Sequence, residues 1–357
     1  MREITVEDVE DLALGAVVLG TGGGGDPHIG KLMLLQALER HGPVPLVRAD
    51  ELDPEGLLLP VAMAGAPTVM TERIPNGREL HQVLESLEAR LGRRGVAIMP
   101  VEIGGINGLL PAAAAAELGL PLVDADMMRR AFPQIEMTLP HLAGIKASPF
   151  SLCDVNGNHV LLDAVDNMTA EKLVRACITR LGMAVMASAY PLTAKQCVES
   201  AANGSLSYCL EIGRLVRAVQ NGEPGAYERF LDFCDAQILF TGKVIDIDRY
   251  TTDGWARGTV SLQHVDDPTR AMRVEIQNEN LVAFEDGVPR VTVPDLITFL
   301  DMETGIPMTT EGLAYGQRLH MIAMPAEERW RTPQGVALAG PRAFGYDIDY
   351  VPFEVAR

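Results

Sequence analysis

Three times within the first 126 residues, an apolar run ends in small residues and gives way to a stretch of helical period. The units are AVVLG (16–20) before a helix-like 27–40, GLLLPVAMAGAP (56–67) before RELHQVLESLEARLG (78–92), and GVAIMPVEIGG (95–105) before an alanine-rich 109–118. Strand, turn and helix in this order demand strands that run parallel, with helices covering both faces of the sheet. The pattern predicts an α/β N-terminal domain with a mostly parallel sheet, its other strands being PVPLV (43–47) and PLVDAD (121–126). Residues 1–14 read as a short helix capped by Thr5. Asp26 and Pro27 suit the start of the helix 27–40, and Gly42 its end. Asn107 is expected to cap the helix 109–118.

From Asn167 the pattern changes. Residues 169–188 and 195–235 carry helical periodicity, interrupted at NGEPGAY. From 237 the chain alternates in short runs, such as GKVIDIDRY, RGTVSLQHV and RLHMIAM, with Asp253-Gly254 and Asp286-Gly287 as turn signals. PDLITFLD (294–301) reads as a short helix. A chain of 357 residues exceeds one average core. The reading is therefore two domains, 1–167 and 168–357, the second an α+β domain rich in short antiparallel strands.

Lys plus Arg number 30 against 48 Asp plus Glu, a net charge of −18. Phosphate backbones and anionic lipid repel such a chain, so nucleic acid and membrane are excluded as expected partners. A small molecule, a second copy of the chain or another protein remain. The five cysteines, at 153, 177, 197, 209 and 234, form no C-x-x-C and suit buried thiols in a reducing compartment. MREITVEDVEDLA lacks the basic-then-apolar order of a signal peptide, so a cytoplasmic location is expected.

Ligands of an open parallel sheet bind beyond the carboxyl ends of its strands. Those ends carry the glycine turn with Asp26 and His28, Ala64-Gly65-Ala66, Glu102 with Asn107, and Asp124 and Asp126 with Arg129. Crowded carboxylates can hold a proton for acid–base work or bind a divalent cation, and both readings stay open. Asp126 is equally suited to capping the turn after it. GTGGGG (20–25) formally matches G-x-G-x-x-G, the phosphate-cradling fingerprint of dinucleotide sites. Asp26 argues against a nucleotide, because it puts a fixed negative charge where a phosphate would sit. The alternative is a ligand loop in which Gly22, Gly23, Gly24 and Gly25 let a small substrate approach the backbone. In the second half Arg257 could orient a carboxylate or carbonyl.

GTGGGGDPHIGK, VEIGGINGLLP and DADMMRRAFPQIEM, followed by GKVIDIDRYTTDGWARG, NENLVAF, TVPDLITFLDMETGIPMTTEGLAYGQR and RTPQGVALAGPRAFGYDIDY, together resemble the S-methyl thiohydantoin desulfurase family over most of residues 10–352. The resemblance implies hydrolytic loss of methanethiol from an S-methylated thiohydantoin ring, leaving the hydantoin. A hydantoinase- or oxoprolinase-type enzyme is then an expected companion. Glu102 or Asp124 is the expected base, with Asp26 and His28 as proton partners. Gly22, Gly23, Gly24, Gly25, Asn107, Asp126, Arg129 and Arg257 are expected to bind substrate. A nucleotide-dependent enzyme and a non-catalytic accessory subunit are the competing readings.

Overall fold

The structure is a computed structural model that describes residues 2–354, apart from 67–68, 70–72, 74, 76 and 253–254 and the side chains of 251, 252 and 255. The expected Asp253-Gly254 turn lies outside the described residues. Four strands, Val44–Val47, Leu122–Val123, Gly95–Pro100 and Leu57–Gly65, run parallel in that spatial order. Antiparallel strands extend the ribbon on both sides: Arg2–Ile4 beside Val44–Val47, and Ala184–Ser188, Phe150–Cys153 and His159–Leu162 beyond Leu57–Gly65. Leu57–Leu59 and Val61 are almost fully buried, as expected of a strand covered on both faces.

The segment AVVLG is not a strand. It is the last part of the helix Val9–Leu19, in which every residue but Glu10 is buried. A short apolar run cannot be assigned to strand or helix by periodicity alone, and a helix apolar all round belongs to the core. Thr5 does act as a cap, exchanging bonds with Asp8, but of the short turn that precedes this helix. The helix Ser205–Gln220 crosses Val9–Leu19 at glycines of both. A Cβ on Gly15 would stand 1.9 Å from the Cys209 carbonyl oxygen, and one on Gly213 1.7 Å from that of Asp11. The contact therefore admits no side chain at either position.

The helix His28–His41 follows the glycine turn, with Pro27 at its cap and Gly42 in a left-handed conformation at its end. Asn107 does not cap the helix Leu110–Leu118, because its amide is drawn to the backbone of Met63 instead. Residues 169–188 divide into the helix Asn167–Arg180 and the strand Ala184–Ser188, the latter fully buried in the first sheet. Helices Ala194–Ser200, Ser205–Gln220 and Ala226–Phe233 fill the segment 195–235.

The remainder is one antiparallel sheet of eight strands, in the order Val288–Thr292, Glu279–Glu285, Ala271–Gln277, Trp255–His264, Gln237–Thr252, Arg318–Met324, Leu296–Asp301 and Pro307–Met308. Asp286 and Gly287 both take positive φ, the backbone a tight hairpin turn requires. LITFLD is thus a strand rather than a helix. It pairs with Arg318–Met324 on one side and Pro307–Met308 on the other, and its first five residues are buried. Among the described residues, no helix is long and apolar enough to cross a membrane.

Candidate active site

A cavity of about 380 Å³ opens between the two sheets. The first sheet and the helix behind it contribute Ala62–Ala66, Glu102, Asn107, Ala187 and Ile178. The second sheet contributes Arg249, Arg257, Asn278, Glu279 and Glu311, while Phe132–Ile135 forms a wall between them. Gly23 and Gly24 of the glycine turn complete the lining. That volume lies within the range of small-molecule pockets.

Glu102 follows the strand Gly95–Pro100. Its Oε1 accepts from Asn107 Nδ2 at 2.5 Å, and the same amide bonds both the N–H and the carbonyl of Met63, at 2.7 and 3.0 Å. Asn107 therefore ties the end of one strand to the acid that follows its neighbour. Burial pushes the Glu102 carboxyl up to about 7; the Asn107 bond opposes this and the nearby Asp126 charge adds to it. Glu279 sits across the cavity at the start of its strand and is buried, with Oε2 lacking a hydrogen-bond partner. Burial and the Glu102 charge hold its carboxyl well above the usual range, and the Arg130 guanidinium offsets this only in part. Two acids of unlike proton affinity thus face one space, the arrangement that separates acid from base roles.

The glycine turn serves the union of the two sheets. The Thr21 carbonyl accepts from Asn280 N and the Gly22 carbonyl from Thr310 N, both at 2.8 Å. The Gly24 carbonyl accepts from Ile106 N at 3.0 Å. A Cβ on Gly23 would lie 2.2 Å from Glu279 Oε1, so only glycine lets that carboxyl rest on the turn. The turn also follows a helix, whereas the dinucleotide fingerprint follows a strand.

The wall is fixed from behind. Arg175 Nη2 donates to the Pro133 carbonyl, the Ile135 N–H donates to Glu171, and the Tyr190 hydroxyl donates to the Ile135 carbonyl, at 3.1, 3.0 and 2.9 Å. Met183, Tyr190 and Asn278 line the cavity with positive φ, and Thr21 beside it has φ 52°. Such backbone strain persists only where surrounding contacts enforce it, and it clusters at functional sites.

Of the residues singled out from sequence, Glu102, Asn107, Gly23, Gly24 and Arg257 come together in the lining. The buried Nε of Arg257 has no hydrogen-bond partner. Gly22 and Gly25 belong to the same turn but do not line the cavity. Asp26 is exposed outside it, accepting from His28 N at 2.8 Å, though near enough to Glu311 at the mouth to disfavour that residue's ionisation. His28 is exposed. Asp124 takes both the amide and the hydroxyl of Ser207, at 2.9 and 2.6 Å, and so holds the first turn of the helix Ser205–Gln220. Asp126 is fully buried and accepts from Met128 N, Arg129 N and Ser205 Oγ. Its carboxyl is pushed up to about 6 by burial, against those bonds and Arg129. Arg129 lies outside the cavity, bonded to the Asn203 carbonyl and set over the Tyr208 ring.

Sequence reasoning passed over Glu279, Arg249, Arg175 and Tyr190. The available signal for Glu279 was the polar triplet Asn278-Glu279-Asn280 breaking an otherwise apolar strand pattern. Among the described residues the lining holds no cysteine, serine, histidine or lysine. Burial raises the thiols of Cys153, Cys197, Cys209 and Cys234 above their ordinary value. No group of three or more His, Cys, Asp or Glu side chains among the described residues is arranged to hold a metal ion.

Fold and site together define a two-sheet protein whose acidic pocket is assembled from both halves. The chain belongs to the S-Me-THD-like family: the model of its N-terminal domain matches residues 7–164 and that of its C-terminal domain residues 165–353. A crystal structure of a protein from Chromobacterium violaceum is similar over 99% of this chain and 100% of that one, with a TM-score of 0.82 and 25% sequence identity. No curated protein matches the chain.

Proposed function

We propose that this protein is a hydrolase that converts a small S-methylated thiohydantoin to the hydantoin and methanethiol. The observation that carries the reading is the pair Glu102 and Glu279, two carboxyls of raised and unequal proton affinity facing one ring-sized cavity. The ring carbon bearing sulfur is amidine-like. Glu102, ionised in part at neutral pH, takes a proton from water as the water oxygen bonds to that carbon. Glu279, protonated, donates to the ring nitrogen as the C=N bond becomes single. The C–S bond then breaks, the proton held by Glu102 goes to the departing sulfur, and the new oxygen becomes the hydantoin carbonyl. Water is the only co-reactant.

The lining supports water rather than a side chain as nucleophile, since its described residues include none of the usual covalent ones. The backbone at Gly23 and Gly24 lets a planar ring approach closely, and the unpartnered Arg257 Nε–H would orient a ring carbonyl or a carboxylate. Met63, Phe150, Ile178 and Ala187 offer an apolar side for the methylthio group. The test is methanethiol release from S-methylated thiohydantoins by the purified protein and by Glu102→Gln. Turnover by wild type and none by the variant supports the reading, and full activity of the variant removes Glu102 from the chemistry.

A further inference from the structure

Arg130 is fully buried, and its side chain lies against the Phe132 ring, 4.3 Å from the centroid. It donates through Nε to the Ala131 carbonyl at 3.0 Å, through Nη1 to the Pro294 and Asp295 carbonyls, and through Nη2 to Thr21 Oγ1 at 3.0 Å. The partners come from three separate stretches of chain. Thr21 is β-branched and yet holds φ 52°, a conformation such residues avoid. Three contacts enforce it: the Arg130 bond to its hydroxyl, its own N–H to the Val18 carbonyl, and its carbonyl to Asn280 N. Asn280 is the residue after Glu279, whose carboxyl rests on the bare backbone of Gly23, two residues after Thr21.

We infer that Arg130 and Thr21 form a positioning device that aims the Glu279 carboxyl into the cavity. Arg130 does not line the cavity and is not a catalytic residue. It fixes the hydroxyl of Thr21, Thr21 fixes Asn280, and the chain leading into Glu279 is thereby locked over the glycine turn. The charged groups acting on Glu279 are Glu102 from the facing sheet, Arg130 from below and Glu311 at the mouth. The inference rests on the acid role proposed for Glu279, so one readout must not need turnover.

Two measurements on the full-length chain separate the two ideas. In the first, Thr21→Val, which deletes the hydroxyl, should lower kcat by about 10- to 100-fold with KM within about twofold of wild type. Thr21→Ser should restore kcat to near wild type. Arg130→Lys keeps the buried charge but not the fork, and it should behave as Thr21→Val does. In the second, ¹³C NMR of protein labelled at the glutamate carboxyl, assigned with Glu279→Gln, follows the Glu279 titration without substrate. Burial is the main cause of its high position, so that titration should move down in Thr21→Val as the carboxyl gains access to solvent. A folded Thr21→Val with wild-type kcat and an unmoved Glu279 titration overturns the inference, as does a Thr21→Ser as impaired as Thr21→Val. If wild type releases no methanethiol, the proposed function fails, and the NMR titration still decides whether the device exists.

Discussion

Four carboxyl groups of this protein look alike in sequence, since each stands at or beside the end of a strand, but the two regions they occupy differ. Asp124 and Asp126 lie where the first sheet meets the helix Ser205–Gln220, and backbone amides and serine hydroxyls surround their oxygens. Glu102 and Glu279 face the space between the sheets. There one has a single side-chain donor in Asn107, and the other keeps an oxygen with no partner at all. A buried carboxylate that accepts several bonds is part of the scaffold. One that is desolvated and left short of donors is held ready for a ligand or a proton.

That contrast can be broken by exchanging oxygen for nitrogen in each region. The largest effects are expected at the cavity: Glu102→Gln should lower methanethiol release by about 10³-fold and Glu279→Gln by about 10²-fold, with thermal stability retained. Equal losses in a stably folded Asp124→Asn would erase the distinction. The pH profile comes next. Glu102 works ionised and its carboxyl titrates at about 7, so kcat/KM should rise as pH increases through that region. Glu279 works protonated and sits well above the usual range, so activity should fall only at higher pH. A profile flat from pH 5 to about 9 would contradict both assignments.

Asp126→Asn tests the link between the regions. It should cost about 1–3 kcal/mol in denaturant unfolding, because buried donors lose a charged acceptor. The Asp126 charge also raises Glu102, so the acid limb of the profile should move to lower pH in the same variant. The smallest effect is expected at the exposed pair. Asp26→Asn and His28→Ala should leave kcat/KM within about twofold, and a larger loss would bring the mouth of the cavity into the chemistry.

Much of this was legible in the residues. Strong amphipathic periodicity marked Arg78–Leu91, and alternation with Asp-Gly turns marked the antiparallel sheet. Glu102 and Asn107 stood out because an acid and an amide beside paired glycines have little reason to end a buried strand. Two elements misread in the same way, AVVLG and LITFLD, are apolar on every side, so neither period is written in them and only packing decides. Glu279 escaped for a different reason. A glutamate opening a strand is ordinary, and its role comes from a Gly23 that precedes it by more than 250 residues and from a buried arginine between them.

The strand Ala184–Ser188 has one further consequence. It lies between Leu57–Gly65 and Phe150–Cys153, bonded to both, although the chain has by then left the stretch that builds the rest of that sheet. A polypeptide ending near residue 164 would expose two unsatisfied strand edges flanking an empty slot, an open invitation to self-association. Gene fusion, fission or shuffling at that point would therefore be selected against. The two halves are bound to a shared evolutionary history, and the pocket that needs both of them is inherited as a unit.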